Sequence, residues 1–231
     1  MNSISSLAKF LKARSQELSN MNHLETQEIV SGIYIIKTKD ANFYIIKADD
    51  GYIAIDAGSG NKRLVKAELS KLSIEPEKVT AVLLTHSDID HTAALSLFKN
   101  AKVYVSKEEV KLIDGSILRF GIVKNKLKCS YHIINNYEEM SFGDVKIKPI
   151  LSPGHTVGSM SYIINDKYLF VGDALSIKDG KPASMTPAFN MDDEACKHSC
   201  EKLLDIKDIE YIFTAHYGVI NKACELYNIK E

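Results

Sequence analysis

Four potential metal ligands stand within six residues of this chain, directly after a run of four apolar residues. The apolar run is typical of a buried β-strand, and it leads into the sequence Thr-His-Ser-Asp-Ile-Asp-His at residues 85–91. A strand that delivers imidazole and carboxylate groups to the loop at its end is a signature of a metal site. His86 and Asp88 alternate and would point the same way in an extended segment. Asp90 and His91 are adjacent and would point apart, which suits two neighbouring metals better than one.

Three further potential ligands follow apolar, strand-like runs in the same way. They are His155, Asp173 and His216. In a layered fold such strand ends can converge on one edge, where loops carry function. A structural role would suffice for any one of these histidines alone, but four recurrences of one context favour a metal site.

The order of these residues resembles the metallo-β-lactamase superfamily, whose motif H-x-H-x-D-H is followed by a distant His, then an Asp, then a further His. His86, Asp90 and His91 match the first motif, and the three later ligands match the rest in order. Residues 53–58 resemble the family's buried strand followed by Asp and Gly. The resemblance extends from about Ile29 to the end of the chain. It implies an α+β fold, an αβ/βα four-layer sandwich of two mixed β-sheets flanked by helices, with a two-metal site along one edge.

One position departs from the family's motif, because Asp88 stands where the second histidine would be. The resemblance implies two ligand groups and a carboxylate that bridges them: His86, Asp88 and His155; Asp90, His91 and His216; and Asp173 between the two. A carboxylate is a harder ligand than an imidazole, which favours iron or manganese relative to zinc without excluding zinc. The cofactor prediction is therefore two divalent metal ions per chain, zinc or iron, with manganese possible. In the alternative, Asp88 does not ligate and the first site is weak or empty.

The ligand set predicts a hydrolase that activates water against a small-molecule ester, thioester, lactone or related bond. Asp90 would act as the catalytic residue that orients or deprotonates the nucleophile. The alternative function is a di-iron oxidoreductase acting on dioxygen or nitric oxide. The family's flavodiiron branch, which carries a glutamate at the variant position and binds iron, suggests it, and a separate electron carrier would be needed. The complete ligand set argues against a third function, that of a non-catalytic scaffold.

Composition narrows the choice of partners and compartment. Lys and Arg number 29 and Asp and Glu 30, a net charge of −1, so no basic excess points to nucleic acid or a membrane surface. Four cysteines are too few for a secreted disulfide framework, and the N-terminus lacks the layout of a signal peptide. We therefore predict a cytoplasmic enzyme with a small-molecule substrate, no nucleic-acid or membrane partner, and homodimerisation as an open possibility.

The local pattern predicts a helical N-terminal extension over residues 1–25 and one metallo-β-lactamase-like domain over residues 26–231. Within the domain we expect a helix from about residue 91 to residue 98 and a last buried strand at residues 211–214. Residues 115–129 have no clear period, and their lysines are expected to face solvent.

Two further expectations concern residues outside the ligand set. Residues 181–190 contain two prolines, follow Asp173 and are expected to wall the cleft. His23 and His132 have no partnered context and are expected to be structural or exposed.

Overall fold

Short runs of β-branched and aromatic residues build the first sheet as a meander that continues into parallel strands. The computed structural model describes residues 15, 18, 19 and 21–222. The first sheet has seven strands in sequence order: β1 (Gln27–Val30), β2 (Ile33–Lys37), β3 (Asn42–Ala48), β4 (Gly51–Ile55), β5 (Val79–Leu83), β6 (Lys102–Ser106) and β7 (His132–Ile134). Neighbours from β1 to β4 pair antiparallel, and neighbours from β4 to β7 pair parallel.

The second sheet is mixed as well, and its strands come from the C-terminal half of the described chain. Its spatial order is β15 (Val219–Asn221), β14 (Tyr211–Thr214), β11 (Tyr168–Gly172), β10 (Met160–Ile164), β9 (Val145–Leu151) and β8 (Met140–Phe142). Only β11 and β14 pair parallel in this sheet. A separate hairpin follows β11 and consists of β12 (Leu175–Lys178) and β13 (Lys181–Ser184).

Helices connect and cover the sheets. Within residues 21–222 they are α1 (Lys62–Lys71), α2 (Ile89–Thr92), α3 (Val110–Asp114) and α4 (Asp193–Leu204). The two longer helices begin with side-chain caps, because Asn61 accepts a hydrogen bond from the backbone of Leu64 and Asp192 accepts one from Ala195. No helix among the described residues is long and apolar enough to span a bilayer.

The main core lies between the two sheets. Tyr44 on β3 reaches across it, with ring centroids 5.2 Å from Phe170 and 5.3 Å from Phe213 on the opposite sheet. Its hydroxyl donates a hydrogen bond of 2.6 Å to the carbonyl of Thr214, so the one polar atom of this buried side chain is satisfied. The facing sides of the sheets therefore form one apolar layer.

The outer sides of the sheets are covered by helices. Val65 and Leu69 of α1 belong to the apolar cluster on the outer side of the first sheet. Cys200 and Leu203 of α4 do the same for the second sheet. The resulting order of helix, sheet, sheet and helix is the predicted αβ/βα sandwich.

The helix predicted from about residue 91 to residue 98 is wrong in its extent. Helix α2 ends at Thr92, and only a 3₁₀ turn follows at Leu95–Leu97. The carbonyl of His91, which a continuing α-helix would pair with residue 95, instead accepts a hydrogen bond of 2.7 Å from the backbone of Ala57. This tertiary contact ends the helix, and it ties α2 to the end of β4.

The prediction that residues 211–214 form the last strand is also wrong. The chain turns at Gly218, which has a φ of +88°, and returns as β15. A three-residue strand carries too little pattern to be recognised in a sequence. The predicted extension over residues 1–25 lies mostly outside the described residues, so its boundary with the domain stays a prediction.

Candidate metal centre

The seven ligands predicted from the sequence lie together at one edge of the sandwich. Four come from the segment after β5, one from the loop between β9 and β10, and one each from the ends of β11 and β14: His86, Asp88, Asp90 and His91; His155; Asp173; and His216. The expected convergence of strand ends is therefore observed.

Asp173 lies at the middle of this cluster and is buried. Its Oδ2 is 3.2 Å from Nε2 of His216, 3.4 Å from Nε2 of His155 and 4.0 Å from Nε2 of His86. Its Oδ1 is 3.6 Å from Nε2 of His91. One carboxylate thus faces four imidazoles, as expected of the bridging residue.

The potential metal-binding atoms form three sets, each with its atoms within 4.8 Å of one another, and one of them, His86, His91 and Asp173, joins the other two. The first group is His86, Asp88 and His155, and the second group is Asp90, His91 and His216. In the second group Oδ2 of Asp90 is 3.7 Å from Nε2 of His91 and 3.5 Å from Nε2 of His216. The expectation that Asp90 and His91 point apart is wrong. They lie in helix α2, where successive side chains diverge by about 100° rather than 180°.

Several potential metal-binding atoms of the cluster have no hydrogen-bond partner among the described residues. They are Nε2 of His86, Nε2 of His91, Nδ1 of His155 and Oδ1 of Asp173, all fully buried. Buried polar atoms without a partner are rare in folded proteins, and imidazole nitrogens and carboxylate oxygens are ordinary ligands of divalent metals. The donor chemistry around Asp173 therefore fits a divalent metal ion.

Asp56 orients His91 by contacting the ring nitrogen that does not face Asp173. Its Oδ2 lies 2.8 Å from Nδ1 of His91 and accepts that hydrogen bond, which directs Nε2 of the ring toward Asp173. Thr85 holds the carboxylate in place with its backbone N–H, 2.7 Å from Oδ1, and its hydroxyl, 2.8 Å from Oδ2. Asp56 adopts a φ of +66°, an uncommon conformation for a residue with a side chain. The sequence analysis identified the segment around Asp56 but not this contact.

The histidines of the cluster differ in their electrostatic surroundings. Burial alone would lower the pKa of His91, but the carboxylates of Asp173, Asp56 and Asp90 together raise it well above its usual value. Burial and the neighbouring His91 lower the pKa of His86 well below its usual value. The surroundings of His91 thus favour a positive charge on its ring, whereas those of His86 favour the neutral imidazole.

A buried glutamate joins the two loops that carry the first group. Glu109 Oε1 accepts hydrogen bonds from the backbone and the hydroxyl of Ser87, at 2.8 and 2.6 Å. Its Oε2 accepts bonds from the hydroxyl of Thr156, at 2.7 Å, and from the backbone of Gly158, at 3.2 Å. A Cβ on Gly158 would lie 2.1 Å from the backbone nitrogen of Glu109, so only glycine fits there. Nothing in the local sequence distinguishes Glu109 from a surface glutamate, and the sequence analysis missed it.

Arg119 and Asn125, also missed, contact the first group from the segment 115–129. Arg119 donates from Nε to both carboxylate oxygens of Asp88, at 3.2 and 2.9 Å, and its Nη2 lies 2.9 Å from Nε2 of His155. Asn125 donates to Oδ1 of Asp88 at 2.8 Å. Both side chains are buried, although the lysines of the same segment are exposed as predicted.

A cavity of about 150 Å³ opens onto the cluster. Phe120, Met185 and Phe189 contribute apolar walls, and the cavity is also lined by five of the seven predicted ligands: Asp88, Asp90, His155, Asp173 and His216. Two of these come from residues 181–190, so the expectation that this segment walls the cleft is confirmed. His132 is exposed as expected, but His23 does have a partner, because its Nε2 lies 3.4 Å from Nδ1 of His216.

The family model of the metallo-beta-lactamase superfamily matches residues 37–216 of this chain. The chain belongs to this superfamily. It is 30% identical over 155 residues to a probable metallo-hydrolase of Methanocaldococcus jannaschii, covering 67% of this chain and 64% of that protein. It is also 30% identical over 142 residues to a hydroxyacylglutathione hydrolase of Glaesserella parasuis, covering 59% of this chain and 50% of that protein. The chain therefore spans less than two-thirds of the length of these curated relatives.

The fold is confirmed by solved members of the superfamily. The native FEZ-1 metallo-beta-lactamase from Legionella gormanii aligns with a TM-score of 0.67 and 22% identity, over 85% of this chain and 80% of that one. At this identity the likeness concerns the fold alone, and it agrees with the sandwich inferred from the motif.

Proposed function

We propose that this superfamily member is a metal-dependent hydrolase whose metal centre is the cluster around Asp173. The observation that carries the proposal is a set of buried metal-binding atoms without hydrogen-bond partners, including Nε2 of His91 and Oδ1 of Asp173, next to a cavity that Asp173 lines. The names of the curated relatives, a probable metallo-hydrolase and a hydroxyacylglutathione hydrolase, support the same reaction class.

The second group, together with Asp173, is the donor set we assign to a divalent ion. Such an ion would supply a Lewis acid and a water molecule of lowered pKa. Asp173 would fix the imidazoles of His91 and His216 around the site, both of which already face its carboxylate. Asp90 is the most exposed of these ligands, with 30% of its side chain accessible, and it lines the cavity. Its carboxylate can therefore accept a proton at the cavity floor, the catalytic role proposed for it.

The volume and lining of the cavity indicate what kind of substrate could reach the metal centre. Its volume of about 150 Å³ lies below the range of roughly 300–1,000 Å³ typical of ligand pockets, so only one end of a substrate would be enclosed. Met185 and Phe189 offer that end an apolar surface. A short acyl group of an ester, thioester or lactone fits this description, with the remainder of the small molecule outside.

Hydrolysis assays on the intact chain test the proposal. Protein purified anaerobically would be analysed for metal, treated with a chelator, and reloaded with zinc, iron or manganese in parallel. Each form would then be assayed against acyl-glutathione and other thioesters, aryl esters and lactones. We expect turnover of at least one class, loss of turnover on chelation, and no turnover by the Asp173→Asn variant. A fully loaded chain that hydrolyses none of these bonds would contradict the proposal.

The di-iron alternative rests on one observation, the carboxylate at position 88. That carboxylate is paired with Arg119 at 2.9 Å, and the curated relatives carry hydrolase names, so hydrolysis is the better supported function. Iron with charge-transfer absorption and consumption of dioxygen or nitric oxide would favour the alternative. The cytoplasmic location, the lack of nucleic-acid and membrane partners, and a homodimer stay predictions, as does the number of metal ions.

A further inference from the structure

The first group of ligands already contains a cation, the guanidinium of Arg119. Its Nε donates to the Asp88 carboxylate, and its Nη2 lies 2.9 Å from Nε2 of His155. Arginine has only donors, so Nε2 of His155 is the acceptor in this contact. Two of the three donor residues of the first group are therefore engaged by one side chain.

A divalent metal would need the same lone pair on His155. An imidazole nitrogen that is not protonated has a single lone pair in the ring plane, and a metal would bind it at about 2.0–2.1 Å. In this structure that lone pair accepts an N–H group of Arg119. Metal binding by His155 and this hydrogen bond therefore exclude each other.

Arg119 is fixed in this position by further contacts. Its Nη1 donates to the carbonyl of His155 at 2.7 Å, and its Nη2 donates to the carbonyl of Phe189 at 2.8 Å. The guanidinium also lies over the ring of Phe120, 4.2 Å from its centroid. Only 3% of the residue is exposed. Moving the guanidinium away would break all these contacts and leave the carboxylate of Asp88, only 18% exposed, without its charge partner, which is costly.

The two groups also differ in whether a basic side chain balances the charge of their carboxylates. Asp88 is the only carboxylate of the first group, and the single charge of Arg119 balances it. A divalent ion placed beside the guanidinium would be repelled by it. In the second group, no lysine or arginine of residues 21–222 forms an ion pair with Asp90 or Asp173.

We infer that this chain holds one divalent metal, at the second group with Asp173, and that Arg119 takes the place of a second ion in the first group. Asp88 and His155 are then positioning residues for Arg119 rather than metal ligands. The centre then has two neighbouring cations, a metal ion that can exchange and a guanidinium that is covalently part of the chain. The inference rests on the proposed function for the identity of the centre, but it concerns the number of ions rather than the reaction.

Counting bound metal tests the inference without any assay of activity. The chain would be freed of metal, saturated with Zn²⁺, cleared of loosely held ions by gel filtration, and analysed by elemental analysis and native mass spectrometry. We expect one ion per chain. Titration with Co²⁺ gives a second count, and we expect the visible absorption to stop rising at one equivalent. Two tightly held ions, or a break at two equivalents, would overturn the inference.

A double variant tests whether Arg119 excludes the second ion. Arg119→Gln combined with Asp88→His removes the guanidinium and supplies the imidazole of the family's motif, and we expect two ions per chain. The matched control is Arg63→Gln on the exposed side of α1, which should stay at one. A folded double variant that still binds one ion would overturn the role given to Arg119.

The outcomes also separate this inference from the proposed function. One ion per chain with no hydrolysis of any substrate would contradict the proposed function and leave the inference standing. Two ions per chain with hydrolysis would do the reverse.

Discussion

The two ligand groups of the centre use the same residue types but are held in opposite ways. In the second group the imidazoles are supported from behind, His91 by Asp56 and His216 by His23, so that their Nε2 atoms face Asp173. In the first group a cation, Arg119, contacts the metal-facing atoms of Asp88 and His155, while Nε2 of His86 has no hydrogen-bond partner among the described residues. One linear motif can therefore give two unequal sites. Arg119, 31 positions from Asp88 in the sequence, binds the carboxylate of Asp88.

The largest effect should come from comparing one histidine of each group. We expect His216→Ala to weaken zinc binding by more than about 100-fold, because it removes a ligand, whereas even outer contacts are worth about 10–100-fold. We expect His155→Ala to weaken it by less than about tenfold, since its Nε2 already accepts a hydrogen bond from Arg119. Competition with a chromophoric chelator measures both affinities. Equal losses would mean that the two groups are equivalent.

A smaller effect should follow from loosening the support behind the second group. Asp56→Asn keeps the size of the side chain but replaces the charged acceptor of the His91 hydrogen bond. We expect zinc affinity to fall by about 10–100-fold, the usual consequence of losing such a contact. Asp166→Asn, in an exposed turn with a φ of +60°, is the matched control and should bind zinc normally. Unchanged affinity in Asp56→Asn would show that packing alone orients His91.

Loosening the support of the first group should affect stability rather than metal content. Glu109→Ala leaves the donors of Ser87, Thr156 and Gly158 without their acceptor in a buried site. We expect the free energy of unfolding to fall by about 2–4 kcal/mol, with the number of bound ions unchanged. Urea denaturation of the metal-free protein, with Glu108→Ala as the control, measures the loss. A variant that lost its metal but not its stability would reverse the proposed contrast.

The smallest effect concerns Glu68 of α1, whose ion-pair partner Lys71 is half-exposed, in contrast with Asp88, whose partner Arg119 is buried. Burial alone would raise the pKa of Glu68, but hydrogen bonds from Lys71 and Thr26 hold it below its usual value. A lowered folded-state pKa contributes stability above the unfolded pKa of about 4.3, and this stability is lost as the pH falls through the folded value.

We therefore expect Glu68→Gln to cost less than about 1 kcal/mol at pH 7, since half-exposed pairs contribute little. The difference from the natural chain should shrink as the pH falls below about 4. Urea midpoints of both proteins across that range provide the measurement. A gap that grows toward acid pH would contradict the assigned direction of the pKa shift.

The clustering of the seven predicted residues follows from the sequence because each lies in a segment that comes after an apolar strand, and strand ends meet at one edge of a sheet. The same reasoning does not identify Arg119. It lies in a segment without a clear hydrophobic period, five residues before the exposed Lys124. Its burial depends on carbonyl groups of His155 and Phe189, which are distant in sequence. The extent of α2 failed for a similar reason, because Ala57 claims the carbonyl of His91 from another part of the chain.

The residues just before the first sheet are joined to the centre itself. The backbone N–H of Asn22 donates to the carbonyl of His216 at 2.7 Å, and Leu24 exchanges two hydrogen bonds of 2.9 Å with the side chain of Asn42. Leu18, further upstream, lines the cavity. A purification tag that reaches this segment would therefore lie beside the proposed metal centre. If the tag is rich in histidine, its imidazoles will compete for the ion and distort any count, so the stoichiometry should be measured on untagged protein.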